Sequence, residues 1–328
     1  TPETHFDTPE AVFSYSSKGY GGLSQQLHSF IREHIVRGVW KRRPRPVLLN
    51  SWEACYFKID ERKLLQLAKA GADVGIELFV MDDGWFSGRN DDTSSLGDWE
   101  PDPKKLPGGI ASLSKKIKAL GVDFGLWVEP EMISENSRLY QEHPDWAMTI
   151  PGHPHSEGRN QRLLDLCNPK VQQYVIDSMT KVFSSGDIRY VKWDMNRSIC
   201  DMYSHIYKGE QSGECYHRYI LGVYDLLERF VQRFPEILLE GCSGGGGRFD
   251  AGMLYYTPQI WCSDNSDAID RLRIQYGTSF GYPVSAMGAH VSAVPNHQTG
   301  RITPLHTRGV VAMSGTFGYE LDLLKLTE

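Results

Sequence analysis

Eight short β-prone runs, separated by longer stretches with helical periodicity, constrain this chain more than any other feature of its sequence. The runs are PVLLNSW (46–52), ELFVMDDGW (77–85), FGLWVEPE (124–131), RLLDLCN (162–168), RYVKWDMN (189–196), EILLEGCSG (236–244), QIWCSD (259–264) and VSAMGAHVS (284–292). Between them lie segments such as ERKLLQLAKAGADVG, ASLSKKIKALG, VQQYVIDSMTKVFSSG and YILGVYDLLERFVQRF, whose apolar residues recur near a 3.6-residue period and which often end on glycine. Strand after helix after strand, eight times over, predicts a (β/α)8 TIM barrel of the α/β class. The competing architecture is an open doubly wound sheet, but no GxGxxG turn follows a first strand. The barrel is expected over residues 41–328. Residues 1–40, turn-rich and then helix-like in SQQLHSFIREHIV, read as a linker from something upstream.

The composition excludes several function classes. With 41 acidic and 35 basic residues the formal charge is −6, and KRRPR at 41–45 is a lone short basic run, which argues against nucleic acid as a partner. The apolar runs fall short of the roughly 20 residues a membrane helix needs, and no basic-then-apolar signal pattern opens the chain, so no membrane partner and a cytoplasmic location are expected. Cys55, Cys167, Cys200, Cys215, Cys242 and Cys262 form no CxxC pair and several sit in apolar runs, the pattern of reduced core residues.

In a barrel of this kind the active site lies at the carboxyl ends of the strands, and nearly every run here ends on polar residues. The first ends on Trp52 and Glu53, the second on Asp82 and Asp83, and the third on Trp127, Glu129 and Glu131; later runs end on Lys192 and Asp194, on Cys242 and on Asp264. Carboxylates accept hydrogen bonds from hydroxyl groups and indole faces pack on the apolar face of a pyranose, so this mouth suits a sugar. Two carboxyl groups about 5 to 5.5 Å apart across a glycosidic bond can serve as nucleophile and acid/base. Asp194 and Asp264 are the pair chosen on position, with Lys192 expected to hold Asp194 in its charged form.

Other readings of the same residues carry less. Asp264 could cap a helix, but Asp267 stands directly before AIDRLRIQY and is the better cap. The stretch CSDNSDAIDR lacks the ligand pattern of an EF-hand loop. CSGGGGR (242–248) lacks the Lys and Ser/Thr of a phosphate loop and reads as a place where backbone approaches a ligand closely, with Cys242 as a small wall residue. HPH at 153–155 has no third ligand nearby, so neither a metal nor any other cofactor is expected.

Taken together, MDDGWF (81–86), GLWVEPEM (125–132), KWDMNR (192–197), CSGGGGR and WCSDNSDAIDR (261–271) resemble glycoside hydrolase family 36, the bacterial α-galactosidases, over essentially the whole chain. The resemblance implies that Asp194 is the nucleophile and Asp264 the acid/base of a retaining hydrolase acting on α-galactosides such as melibiose and raffinose-type oligosaccharides. It implies that Asp82 and Asp83 hold the 4- and 6-hydroxyls, that Trp52 and Trp127 wall the sugar, and that Lys192, Asn196 and Arg159 hydrogen-bond it. Cys242 and Gly245 would lie by the 2-hydroxyl, where relatives acting on N-acetylgalactosamine carry other residues. The alternatives are an α-N-acetylgalactosaminidase, a raffinose-type galactosyltransferase, or a galactoside-binding barrel that does not turn over. Family members are usually longer, with flanking β domains, and homo-oligomers are expected of them.

Overall fold

The computed structural model describes residues 5–207 and 209–326. Its centre is a closed barrel of eight parallel strands: β1 (Leu48–Asn50), β2 (Leu78–Met81), β3 (Asp123–Val128), β6 (Ile188–Trp193), β7 (Leu238–Gly241), β8 (Gln259–Trp261), β9 (Met287–Ser292) and β10 (Thr316–Glu320). β4 (Met132–Ile133) and β5 (Arg162–Leu163) form a small antiparallel pair outside it. Closure comes from β10, which pairs with β9 on one side and β1 on the other.

One expected strand is therefore corrected. The run RLLDLCN does not enter the barrel: only Arg162 and Leu163 are extended, Leu164 donates its N–H to the Glu131 carbonyl, and Asn168 already caps the next helix. A short apolar run signals burial without saying against what. Here Leu163, Leu164 and Leu166 are buried outside the barrel sheet, where β5 pairs with β4 in the segment after β3. The eighth strand is instead TFGYE, whose alternating burial is that of a strand with one face inward.

The helices follow local rules. Asp60 caps Glu61–Asp73 by accepting from Lys63 N at 2.8 Å, and Asn168 caps Pro169–Phe183, where proline occupies a first-turn position that needs no N–H. Asp267 caps Ala268–Thr278 through Ile269 N and Asp270 N, as its place in the sequence predicts. Val171, Val175, Met179 and Val182 make the buried stripe of their helix. The segment ahead of the barrel contributes too: Ile31 and Val36 are part of the main core.

Strand alternation sorts the barrel interior into layers. Leu48, Leu78, Val80, Tyr190 and Leu238 cluster inside near the strand starts, with Trp40 packed against them as a plug. Two residues further along, the same inward faces carry Asn50, Lys192 and Glu240, all buried. The change from apolar floor to polar ceiling places a charged layer directly below the barrel mouth. Val191 and Trp193 face outward into the shell of helices.

Gly222, in the helix Cys215–Arg233, has no room for a Cβ, which would collide with the Leu166 carbonyl oxygen. Alanine would gain about 1 kcal/mol of helix propensity, but overpacking typically costs about 1–3 kcal/mol. Gly222→Ala should lower the midpoint of denaturant unfolding; an unchanged or raised midpoint would mean the helix can shift at no cost.

Candidate active site

A pocket of about 150 Å³ opens at the carboxyl ends of the barrel strands. Ten of the residues singled out from sequence line it: Asp82 and Asp83 after β2, Trp127 on β3, Lys192 on β6 with Asp194 and Asn196 just beyond, Asp264 after β8, Trp52 and Glu53 after β1, and Arg159 from the loop before β5. Cys242 and Gly245 are not among the lining residues.

Asp194 is buried and accepts three hydrogen bonds, from Trp127 Nε1 at 3.1 Å, Asn196 Nδ2 at 2.6 Å and the Met195 amide at 2.8 Å. That donor set suits a carboxylate anion. Asp264 accepts from Trp261 Nε1 at 3.1 Å. Burial and then the charge of Asp194 raise its pKa above the ordinary carboxylate range, with Lys192 opposing. The two carboxyl groups thus sit in different surroundings, each with one indole N–H.

Lys192 plays a different part from the one expected. Its ammonium pairs with Asp82 Oδ2 at 3.1 Å, reaching past β3 from β6 to the end of β2, rather than with Asp194. Burial works against its charge, but Asp82 leads a set of acidic neighbours that outweigh it and hold its pKa well above the ordinary value. The reason is direction: a side chain rising from an inward strand position leans into the barrel toward nearby strand ends more easily than it folds back onto its own i+2 neighbour. Asp82 also accepts from Asn50 Nδ2 at 2.6 Å.

Asp83 is gripped by Arg89, with Nε at 3.0 Å and a terminal nitrogen at 2.8 Å, both side chains buried. Burial raises the Asp83 pKa and the guanidinium opposes it. Cys242 is buried, and its thiol is pushed well above the usual range by burial and by the charge of Asp194, which keeps it protonated and unreactive. Gly245, at φ +85°, lies so close to the chain after β8 that an added Cβ would stand 2.6 Å from Asp264 N. The glycine run therefore brings backbone against the Asp264 segment, where the sequence suggested approach to a ligand.

Several pocket residues were not singled out from the sequence. Trp261 packs against Arg271, 4.1 Å from its ring centroid, and against the tilted His290 ring at 4.4 Å. It lay in plain view at the end of QIWCSD and could have been found as a strand-end aromatic. Glu320 ends β10, the strand missed from sequence; it is held low in pKa because His290 Nδ1 at 2.9 Å and the Lys192 charge outweigh its burial. His297 and Gln298 come from the loop after β9, without periodicity to mark them. His297 sits 3.2 Å from Glu53, which raises its pKa.

Among the described residues no cluster of three or more His, Cys, Asp or Glu could hold a metal ion, and no helix is long and apolar enough to cross a membrane.

By architecture and by site this is a (β/α)8 barrel with an acidic, tryptophan-lined pocket at its strand ends. The family model Melibiase matches residues 5–328, and the chain belongs to that family. It is 55% identical over its full length to α-galactosidase AgaA of Geobacillus stearothermophilus, covering 45% of that protein, and 57% identical over 98% of its length to the bifunctional α-galactosidase/sucrose kinase AgaSK of Mediterraneibacter gnavus, covering 34%. A solved structure of an AgaA variant in complex with raffinose superposes with a TM-score of 0.93 at 55% identity over 94% of this chain and 43% of that one; it is described as a member of glycoside hydrolase family 36, the family the motifs resemble. The chain spans less than half the length of these relatives.

Arg89→Met should destabilise the fold by about 3–5 kcal/mol, because it leaves the Asp83 carboxylate buried without its partner. Denaturant unfolding checks this, and a loss below about 1 kcal/mol would show that Asp83 is neutral or finds water.

Proposed function

We propose that this chain is the catalytic barrel of a retaining α-galactosidase, with α-galactosides as its substrates. The observation that carries the reading is the pair of unlike carboxyl groups at one pocket: Asp194 with three donors around it, Asp264 raised in pKa by burial and by Asp194. A nucleophile must be charged and a general acid protonated, and these surroundings separate the two. The relatives crystallised with raffinose and with stachyose support the substrate class.

In this mechanism Asp194 attacks the anomeric carbon while Asp264 gives its proton to the departing glycosidic oxygen. The Asp194 charge is consumed in the resulting ester, so Asp264 loses its nearest anionic neighbour and becomes a more comfortable anion. It then takes a proton from the incoming water, whose oxygen displaces Asp194 and releases galactose with its configuration retained. Asp82 and Asp83 accept hydrogen bonds from sugar hydroxyls, and Lys192 and Asn196 donate to them. Lys192 and Arg89 fix the two acids before any sugar arrives. Trp52, set edge-on against Tyr56 and Phe57, offers an indole wall. Cys242 and Gly245 shape the pocket from behind, through Asp194 and Asp264 respectively.

Hydrolysis of nitrophenyl α-galactoside followed by NMR should show α-galactose released first; β-galactose first would rule out retention. Binding of galactose without turnover would mean that the barrel needs further domains of a longer protein. Asp194→Ala should abolish turnover, with azide restoring it and yielding the inverted azide product; an active Asp194→Ala chain would remove this residue from the mechanism.

The Asp264 assignment predicts a pH dependence. Because the acid form is needed and its pKa is raised, kcat/KM should hold below that raised pKa and fall as pH climbs through it. Asp264→Ala should flatten this alkaline limb and spare substrates with good leaving groups far more than natural oligosaccharides. Equal losses on both substrate types would contradict an acid role.

A further inference from the structure

Glu129, the residue directly after β3, is fully buried, and the mechanism above makes no use of it. Its Oε1 accepts from the Asn196 amide at 2.5 Å and from Gln161 Nε2 at 2.7 Å. Its Oε2 is buried with no hydrogen-bond partner among the described residues. Asn196 is the hub of this corner: its Nδ2 donates to Asp194 at 2.6 Å and its Oδ1 accepts from Gly244 N at 3.2 Å. Glu129 therefore grips the backbone of the residue whose side chain grips Asp194.

We propose that Glu129 is a positioning residue for Asp194, holding Asn196 by its backbone amide so that the Asn196 side chain stays on the Asp194 carboxylate. The proposal rests on the reading of Asp194 as nucleophile.

The charged groups facing Glu129 are Asp194 from the end of β6, Arg159 from the loop before β5 and Arg89 from the loop after β2; the neutral Gln161 also meets it. Neither guanidinium forms an ion pair with it among the described residues. An anion would leave one oxygen buried without a donor and set a second negative charge behind Asp194, both costly. Burial first, and then the charge of Asp194, push Glu129 up to about 8, so it is a neutral acid at neutral pH. A neutral carboxyl keeps its carbonyl oxygen for the Asn196 amide and adds no charge beside the nucleophile. A glutamine could do the same.

The test uses this chain labelled with ¹⁵N and with ¹³C at the glutamate carboxyls, as wild type, Glu129→Gln, Glu129→Ala, Asn196→Ala, the double alanine variant and Asp194→Asn. In the wild type a buried carboxyl should titrate near 8, and lower in Asp194→Asn; the Asn196 backbone and side-chain amide resonances should move with it. With nitrophenyl α-galactoside near neutral pH, Glu129→Gln should keep kcat within about fivefold. Glu129→Ala should lose roughly 10- to 100-fold in kcat with KM little changed. The double alanine variant should be no slower than Asn196→Ala alone.

Asn196 resonances that stay still while Glu129 titrates would overturn the proposal, as would Glu129→Gln being as slow as Glu129→Ala. Absence of turnover by the wild type would count against the barrel acting alone as a galactosidase. The NMR titration decides the positioning role in either case, because it needs no substrate.

Discussion

The mouth of this barrel gathers more negative charge than it can hold without compensation, and the Lys192–Asp82 pair is the contact on which its arrangement depends. Asp82, Asp83, Asp194, Asp264 and Glu320 line one pocket of about 150 Å³, with Glu129 buried behind it. Lys192 rises from the inward face of β6 and spans to β2 at 3.1 Å, and its ammonium also sits within the field of Glu320 and Asp194. In a low-dielectric interior such a pair breaks even at best against an apolar replacement. Its value here lies in geometry, since it ties the end of β2 to β6 past the intervening β3 and fixes Asp82 at the pocket wall.

The other acids of the mouth have partners of their own. Arg89 neutralises Asp83, His290 meets Glu320, and indole N–H groups serve both Asp194 and Asp264. Trp127 and Trp261 thus line the cavity and at the same time lend their N–H edges to the acids, one side chain doing two jobs. Trp261 in turn packs against both Arg271 and His290, which restrains the direction of the N–H that it offers to Asp264.

Much of this was legible in the chain itself. Asp194 and Asp264 stand at strand ends that period-2 alternation places in the barrel mouth, and Asp267 was readable as the cap that leaves Asp264 free. The destination of Lys192 was not legible. Its nearest acid in sequence is two residues away, while its partner is 110 residues away, at the end of a strand that the barrel places one beyond the neighbouring β3. RLLDLCN misled for a related reason: buriability is written in a short apolar run, but strand pairing is not. Gly245 carried the signal of close approach without naming what approaches, and the structure supplies the Asp264 backbone.

What the sequence determined by itself was the alternation of strands and helices, the inward and outward faces of each strand, the helix caps and the placing of acids at strand ends. These are local properties, fixed by backbone periodicity and by side chains that meet their own neighbours within a turn or two. The tertiary structure alone decided which strand closes the barrel, which acid takes the lysine, and which carboxyl is left with an unpartnered oxygen. Each of those depends on distances between segments far apart in the chain, and burial turns small differences in such distances into large differences in charge state.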